Sequence, residues 1–257
     1  MGLLTGKVAV ITGTSSPKGI GYTIAKRFAV EGASLFLVAR GHIPQMETAK
    51  KECLALGKEN VGVEYGVFDL AECGAAETMV EKALNTFGRI DVLVNNAVAR
   101  ALHNFGDFSR EEFDRVVAVN LAAPFFASQA VLPPMRRQGG GRIIHIASQL
   151  GSVAMTHRAL YGMTKAALIY LTKAMAYELA TEGIMVNAIS PGPIMTDRAL
   201  DRLKEDPETH RERVAYIPAG RFGEPEEIAE VALFLASTNA TFLQGENIII
   251  DGGYTIH

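Results

Sequence analysis

The chain has 257 residues, 48% hydrophobic and 21% charged, with 25 glycines and no Gly-X-Y period. That composition excludes a disordered or collagen-like chain, and the length suffices to bury a large core. A net charge of −3 shows no basic excess of the kind nucleic-acid binding uses, so no such partner is expected. Cys53 and Cys73 make neither a CxxC nor a disulfide framework and read as free thiols in a reducing compartment. The start, Met1-Gly2-Leu3-Leu4-Thr5-Gly6-Lys7, has no apolar stretch behind a basic head, and no apolar run approaches the roughly 18 residues of a membrane span. A cytoplasmic protein without membrane partners is expected.

Short apolar runs alternate with longer helical patterns. Lys7 to Thr12 is β-branched, brief and ended by glycine, which predicts a buried strand. A helix follows from Ile20 to about Glu31. Ser34 to Val38 is the second strand, and a charged helix runs from about Met46 to Leu56. Val61 to Phe68 is the third strand, ended by Asp69, and Ala75 to Phe87 a helix. Asp91 to Val94 is the fourth strand, and Arg110 to Ala130 is mostly helical. Arg142 to Ile146 is the fifth strand, followed by a long helix from Ala159 to Thr181. Met185 to Ile189 and Asn247 to Ile250 complete seven strands. Such alternation predicts βαβ units, hence one α/β domain over residues 1–257 with a Rossmann-type, doubly wound parallel sheet of seven strands. No linker-like run divides the chain. Residues 192–223 are polar and weakly patterned, as expected of a mobile insertion over a site.

The first strand runs into Thr12-Gly13-Thr14-Ser15-Ser16-Pro17-Lys18-Gly19-Ile20-Gly21, and a helix starts at once. Glycines there let backbone approach a phosphate, and the helix start offers free N–H groups and a positive dipole end. The second strand ends Leu37-Val38-Ala39-Arg40, with no carboxylate where a dinucleotide fold places one for the adenosine ribose. Arg40 there suits adenine stacking and a 2′-phosphate, and Lys18 adds a second charge. Tyr161 and Lys165 are i and i+4 on one helix, hence on one face. An ammonium beside a phenol lowers its pKa from about 10 toward working pH, which fits it to give or take a proton at a carbonyl or alcohol oxygen.

These motifs resemble the short-chain dehydrogenase/reductase family, and the 3-oxoacyl-carrier-protein reductases in particular. The family's turn is TGxxxGxG; here Gly13 and Gly19 are six apart rather than four, so the loop is two residues longer. The resemblance implies NADP(H) as cofactor, held by Gly13, Ser15, Ser16, Lys18, Gly19 and Ile20 of the turn and by Arg40. It further implies Asp69 and Leu70 at the adenine, and Asn95 and Ala97 of an NNAG-like Asn95-Asn96-Ala97-Val98. Pro191, Gly192, Ile194 and Thr196 would cover the nicotinamide. Ser148, 13 residues before Tyr161, matches the family's serine at the substrate oxygen. Asn120 matches its helix asparagine, which holds a water in a relay from Lys165; Lys165 would also bind the nicotinamide ribose. The catalytic set is thus Asn120, Ser148, Tyr161 and Lys165. No metal site is expected, as no His/Cys/Asp cluster has ligand spacing.

Gln149, Leu150, Met155, His157, Met195 and residues 197–216 are expected around the substrate, in a partly apolar pocket. Arg198, Arg202 and Lys204 read more readily as a solvated helix face than as a grip on an acidic handle. A carbonyl reductase or alcohol dehydrogenase is the leading reading. An enoyl-thioester reductase, prompted by Val98, and a non-catalytic NADP sensor stay open beside it. The family resemblance also implies a homotetramer, with Asn247 to Tyr254 between subunits.

Overall fold

The computed structural model describes residues 2–57 and 61–256. β1 (Val8–Thr12) is flanked by β2 (Ser34–Ala39) and β4 (Val92–Asn95), all parallel. β3 (Val63–Val67) joins β2, and β5 (Gly141–Ile146), β6 (Ile184–Pro191) and β7 (Asn247–Ile250) extend the other side. The order is β3-β2-β1-β4-β5-β6-β7, seven parallel strands in one sheet. The order reverses between β1 and β4, and that switch point is where such a sheet opens a crevice at the carboxyl ends of its strands.

The five central strands are buried on both faces, which explains their near-continuous apolar runs; the edge strands β3 and β7 expose Glu64, Val67 and Ile249. Period-2 alternation sorts their side chains: Leu35 and Leu37 of β2 enter one core, Phe36 and Val38 the other. On the first face pack α1 (Ile20–Val30), α2 (Ile43–Leu56) and α9 (Pro225–Ser237) through Ile24, Met46 and Ile228. On the second pack α3 (Ala75–Phe87), α5 (Ala123–Arg137) and α6 (Ala159–Leu179) through Met79, Val131 and Ala176. α9 occupies a stretch that the periodicity analysis leaves unassigned. Its start is marked by Pro225 in the first turn and a reciprocal Glu224–Glu227 capping box.

Three features differ from expectation. The helix expected over 110–130 is α4 (Arg110–Val117), a π-helical segment (Ala118–Ala122) and α5, which continues past Pro133 and Pro134. This run, Arg110–Arg137, reaches a mean hydropathy of 1.6 and is long and apolar enough to cross a membrane by composition, contrary to the reading that no run approaches that length. One face of it packs on the sheet, Ala123, Ala127, Val131 and Met135 all entering the second core, while Phe125 and Phe126 are exposed. Finally, residues 192–223 are not unpatterned: they fold into α7 (Asp197–Glu205) and α8 (Pro207–Ala215). Both are short and carry no buried residue, so their apolar spacing was too brief to read as a helix.

Candidate active site

The crevice at the switch point holds two adjoining cavities of about 510 and 410 Å3, which share Gly13, Ser15, Ala97 and Val98 in their walls. Gly13 sits at φ +75°, and a Cβ there would lie 2.7 Å from Asn96 Nδ2. Only glycine tolerates both conditions. The Thr12 hydroxyl accepts from the Asn96 and Ala97 amides, both at 2.9 Å, and Asn96 Nδ2 donates to the Thr12 carbonyl at 2.8 Å. The turn after β1 and the turn after β4 are thereby locked together. Gly19 is the N-cap of α1, whose own first turn carries no acidic residue, so its N–H groups and dipole suit an anion; the carboxylate placed against the turn is Asp197, from α7.

Gly13, Ser15, Ser16, Gly19 and Ile20 line the larger cavity, as do Ala97, Pro191, Gly192, Ile194 and Thr196. Arg40, Asp69 and Leu70 line the smaller one. Two expected residues do not reach either wall. Lys18 is exposed, and its backbone amide donates to Asp197 Oδ2 at 2.9 Å. Asn95 turns inward, with Nδ2 3.2 Å from both Ser128 Oγ and His145 Nδ1. Residue alternation on β4 explains this: Asn95 continues the buried strand, and Asn96 begins the exposed turn. Asp197 carries a contact invisible in sequence, accepting from Ser16 Oγ at 2.5 Å and tying the glycine turn to α7.

Tyr161 and Lys165 occupy one face of α6, both buried, with Lys165 Nζ 5.8 Å from the phenol ring centre. Lys165 Nζ donates to the Ile146 carbonyl at the end of β5, 2.7 Å away, which anchors the ammonium under the cleft. Burial alone would raise the Tyr161 pKa. The Lys165 and Arg100 charges, with hydrogen bonding from Ser148 and Arg100, outweigh it and hold the phenol below its ordinary value. Burial pulls the Lys165 ammonium down, Tyr161 opposing. Ser148 follows β5, and its Oγ accepts from the Leu150 amide at 3.2 Å, which fixes the hydroxyl beside Tyr161.

Asn120 is fully buried in the π-helical segment. Its Oδ1 accepts from the Ala99 amide at 2.8 Å, and its Nδ2 donates to the Ala99 carbonyl at 3.0 Å and to Thr164 Oγ1 at 3.1 Å. The side chain is therefore spent on joining the turn after β4 to α6. A π-bulge of this kind widens the helix locally and frequently marks a functional site. Arg100, its guanidinium 5.5 Å from the Tyr161 ring centre, had no signal in the sequence. Of the substrate candidates, Gln149, Leu150 and Met155 line the cavity, whereas His157 contacts Asn104 at 2.9 Å in an outer pocket. Arg198 is exposed and Arg202 half-buried, as a solvated helix face requires, yet both also line the cavity, whereas Lys204 does not and lies 3.4 Å from Asp201.

A family model described as enoyl-(acyl carrier protein) reductase matches residues 13–255. The chain is 37% identical over 250 residues to the 3-oxoacyl-[acyl-carrier-protein] reductase FabG of Staphylococcus aureus, covering 96% of this chain and 97% of that one. A short-chain dehydrogenase/reductase from Serratia marcescens superposes with a TM-score of 0.90 at 35% identity, covering 98% and 99% of the two chains. The chain belongs to the short-chain dehydrogenase/reductase family. A further member, described as a putative NAD(P)-dependent gluconate 5-dehydrogenase from Beutenbergia cavernae with bound NADP, superposes at 0.90 with 35% identity, over 99% and 98% of the chains. This short-chain dehydrogenase/reductase is thus an oxidoreductase with a nucleotide-cofactor fold. The Gly13 cradle and the N-terminus of α1, which has no acidic residue in its own first turn, fit a dinucleotide pyrophosphate on the protein's own geometry.

Proposed function

We propose that this oxidoreductase interconverts a carbonyl compound and a secondary alcohol with NADP(H), in the manner of a 3-oxoacyl or other ketone reductase. One observation carries the reading: a buried phenol, held acidic by a buried ammonium, faces the cleft with a serine hydroxyl beside it. When bound, the nicotinamide supplies or takes the hydride. Ser148 hydrogen-bonds the substrate oxygen and supports charge there. Tyr161 gives that oxygen its proton in reduction and takes it back in oxidation. Lys165 sets the Tyr161 pKa and reaches the cofactor's ribose. Asn120 acts as a positioning residue through Ala99 and Thr164.

The NADP preference rests on the adenosine end of the cleft. Arg40 and His42 line it, and β2 ends without a carboxylate. The carboxylates on that wall among the described residues are engaged: Asp69 with Arg115 at 3.0 Å, and Glu112 with His103 at 2.7 Å and the Ser109 amide at 3.0 Å. The NADP in the Beutenbergia protein agrees with this choice. Of the sequence candidates, Gly13, Ser15, Ser16, Gly19, Ile20, Asp69, Leu70, Ala97, Pro191, Gly192, Ile194 and Thr196 form the proposed cofactor wall with Arg40.

Enoyl-thioester reduction is the second reading, favoured by Val98 in the wall and by the description of the matching family model. A serine aimed at the substrate oxygen suits a carbonyl better, and the complete proton-transfer set argues against a cofactor sensor. A panel of ketones, alcohols and enoyl thioesters followed by NADPH absorbance separates the three. Tyr161→Phe abolishes turnover and keeps cofactor binding; a fully active variant refutes the assignment.

A cytoplasmic homotetramer belongs to the same proposal. Phe125, Phe126, Tyr170 and Tyr177 are exposed on α5 and α6, and β7 is an edge strand with Ile249 exposed. Sedimentation at micromolar concentration reads the assembly directly, and a monomer there rejects it.

A further inference from the structure

Beside Tyr161 the cleft is lined by Arg100, Arg158, Arg198, Arg202, Arg213 and Lys165, and by no aspartate or glutamate. The whole chain carries a net charge of −3, so this concentration of cations is local. Arginines elsewhere, such as Arg27, Arg89, Arg136 and Arg221, are paired with carboxylates. None of the five cleft arginines takes part in an ion pair among the described residues. Burial, then mutual repulsion, pulls the Arg158 and Arg198 guanidiniums below their ordinary range. Arg100 and Arg198 are exposed and screened by solvent, but Arg158, Arg202 and Arg213 are half-buried, and holding half-buried guanidiniums together without a carboxylate partner points to an anion that binds between them.

The cofactor does not account for the set. Arg100 also lines the adenosine-side cavity and is within the cofactor's reach, but Arg158, Arg202 and Arg213 do not line that cavity. They line an outer pocket of about 470 Å3 with Leu102, Met155 and Phe222. The carboxylates of Glu205 and Asp206 also line that pocket against the three arginines; Asp206 is spent on capping α8, accepting from the Thr209 amide at 3.0 Å. Arg158 is the N-cap of α6, three residues before Tyr161 and so on the same helix face. Arg100 lies 5.5 Å from the phenol ring centre and feels the charge of Arg158.

We infer that the substrate is itself an anion: an oxo or hydroxy compound with a carboxylate or phosphate group a few bonds from the reacting carbon, held by Arg158, Arg202 and Arg213. The inference rests on the carbonyl–alcohol reading above. Arg158, one helical turn from Tyr161, and Arg202 and Arg213 in the wall of the same cavity suit a charge on the reacting molecule, because a carrier's phosphate lies a whole pantetheine arm from its carbonyl.

The test compares matched pairs with saturating NADPH: acetoacetate, levulinate and 2-oxoglutarate against their methyl esters, and dihydroxyacetone phosphate against dihydroxyacetone. In the best pair the anion is favoured roughly 10- to 100-fold in kcat/KM, the size of one charge-assisted hydrogen bond. That ratio collapses in Arg202→Met and Arg213→Met, and falls as salt is raised. It is unchanged in Arg211→Met, an exposed arginine of α8 paired with Glu208. Turnover of neutral ketones with no anion preference overturns the inference and leaves the carbonyl reading standing. Preference only for acetoacetyl-CoA over acetoacetyl-N-acetylcysteamine places the anion on a carrier and also overturns it. If nothing is turned over, the carbonyl reading fails, and calorimetric titration of the same acids decides the anion site. Saturable binding lost in both arginine variants upholds it, and no binding overturns it.

Discussion

Lys165→Met keeps the buried aliphatic stem and removes the charge that faces Tyr161. Taking an effective dielectric constant of about 20, a unit charge 5.8 Å from the ring centre is worth about 3 kcal/mol to the phenolate. At about 1.4 kcal/mol per factor of ten, oxidation of an alcohol should slow by roughly 100-fold at neutral pH. The pH limb on which the phenol loses its proton should move to higher pH. Arg100 is nearer, at 5.5 Å, but exposed, so solvent screens it. With the dielectric constant of water its share is about 0.8 kcal/mol, and Arg100→Gln should cost only about threefold. The assay is kcat against pH with saturating nucleotide, so that any weakened ribose contact is kept out of the readout. An unmoved limb in Lys165→Met, or a loss confined to the KM for nucleotide, refutes the claim that the ammonium acts through the phenol.

Three further outcomes follow from the geometry. Asp91 is nearly buried and accepts from Arg89 Nη2 at 2.7 Å, Arg89 Nε at 2.8 Å, the Val8 amide at 3.0 Å and Lys7 Nζ at 3.2 Å. Burial opposes its ionisation, but these donors prevail and hold its pKa below the ordinary value. Its stabilisation is therefore present above the ordinary carboxylate range and lost as pH falls through the lower native value. Asp91→Ala should cost about 2–3 kcal/mol at pH 7 and flatten the acid side of a Tm–pH profile; an unchanged Tm refutes this. Gly21→Ala puts a methyl within 2.4 Å of Asn96 Nδ2 and 2.6 Å of the Gly13 carbonyl. Helix propensity alone would stabilise by about 1 kcal/mol, yet overpacking costs about 1–3 kcal/mol, so Tm and nucleotide affinity should both drop; a raised Tm sinks the packing account. Arg40→Ala should lower kcat/KM with NADPH about tenfold or more and leave NADH nearly untouched, and comparable values for the two nucleotides in the native enzyme count against the preference.

His145 illustrates how burial governs chemistry away from the proton path. It is fully buried between Asn95 and the Lys165 region, and desolvation, then the Lys165 charge, push its pKa down to about 3. It stays neutral throughout the working range and offers Nδ1 to Asn95. Cys53 is similar: burial pushes its thiol up to about 12, so it is an inert packing group, while Cys73 is exposed.

Local pattern determined what depends on near neighbours in the chain. Short β-branched runs located all seven strands; the central ones are apolar throughout because they are buried on both faces, and the edge strands β3 and β7 kept the β-branched composition although partly exposed. The i, i+4 spacing placed Tyr161 and Lys165 on one face, because helix geometry fixes that relation. The glycine turn was legible because a positive φ and a close approach admit no other residue. Tertiary structure decided the rest, because those features are distances between segments far apart in sequence. α7 and α8 were too short to show a period, and their arginines became a site only when α6 and the turn after β4 were folded beside them. Asn95 and Lys18 fit a motif by position but face the interior and the solvent. Asp197 reaches the glycine turn across 181 positions, and Arg100 meets Tyr161 only in the folded cleft. Charge acts through space, so the electrostatics of this site had to wait for its coordinates.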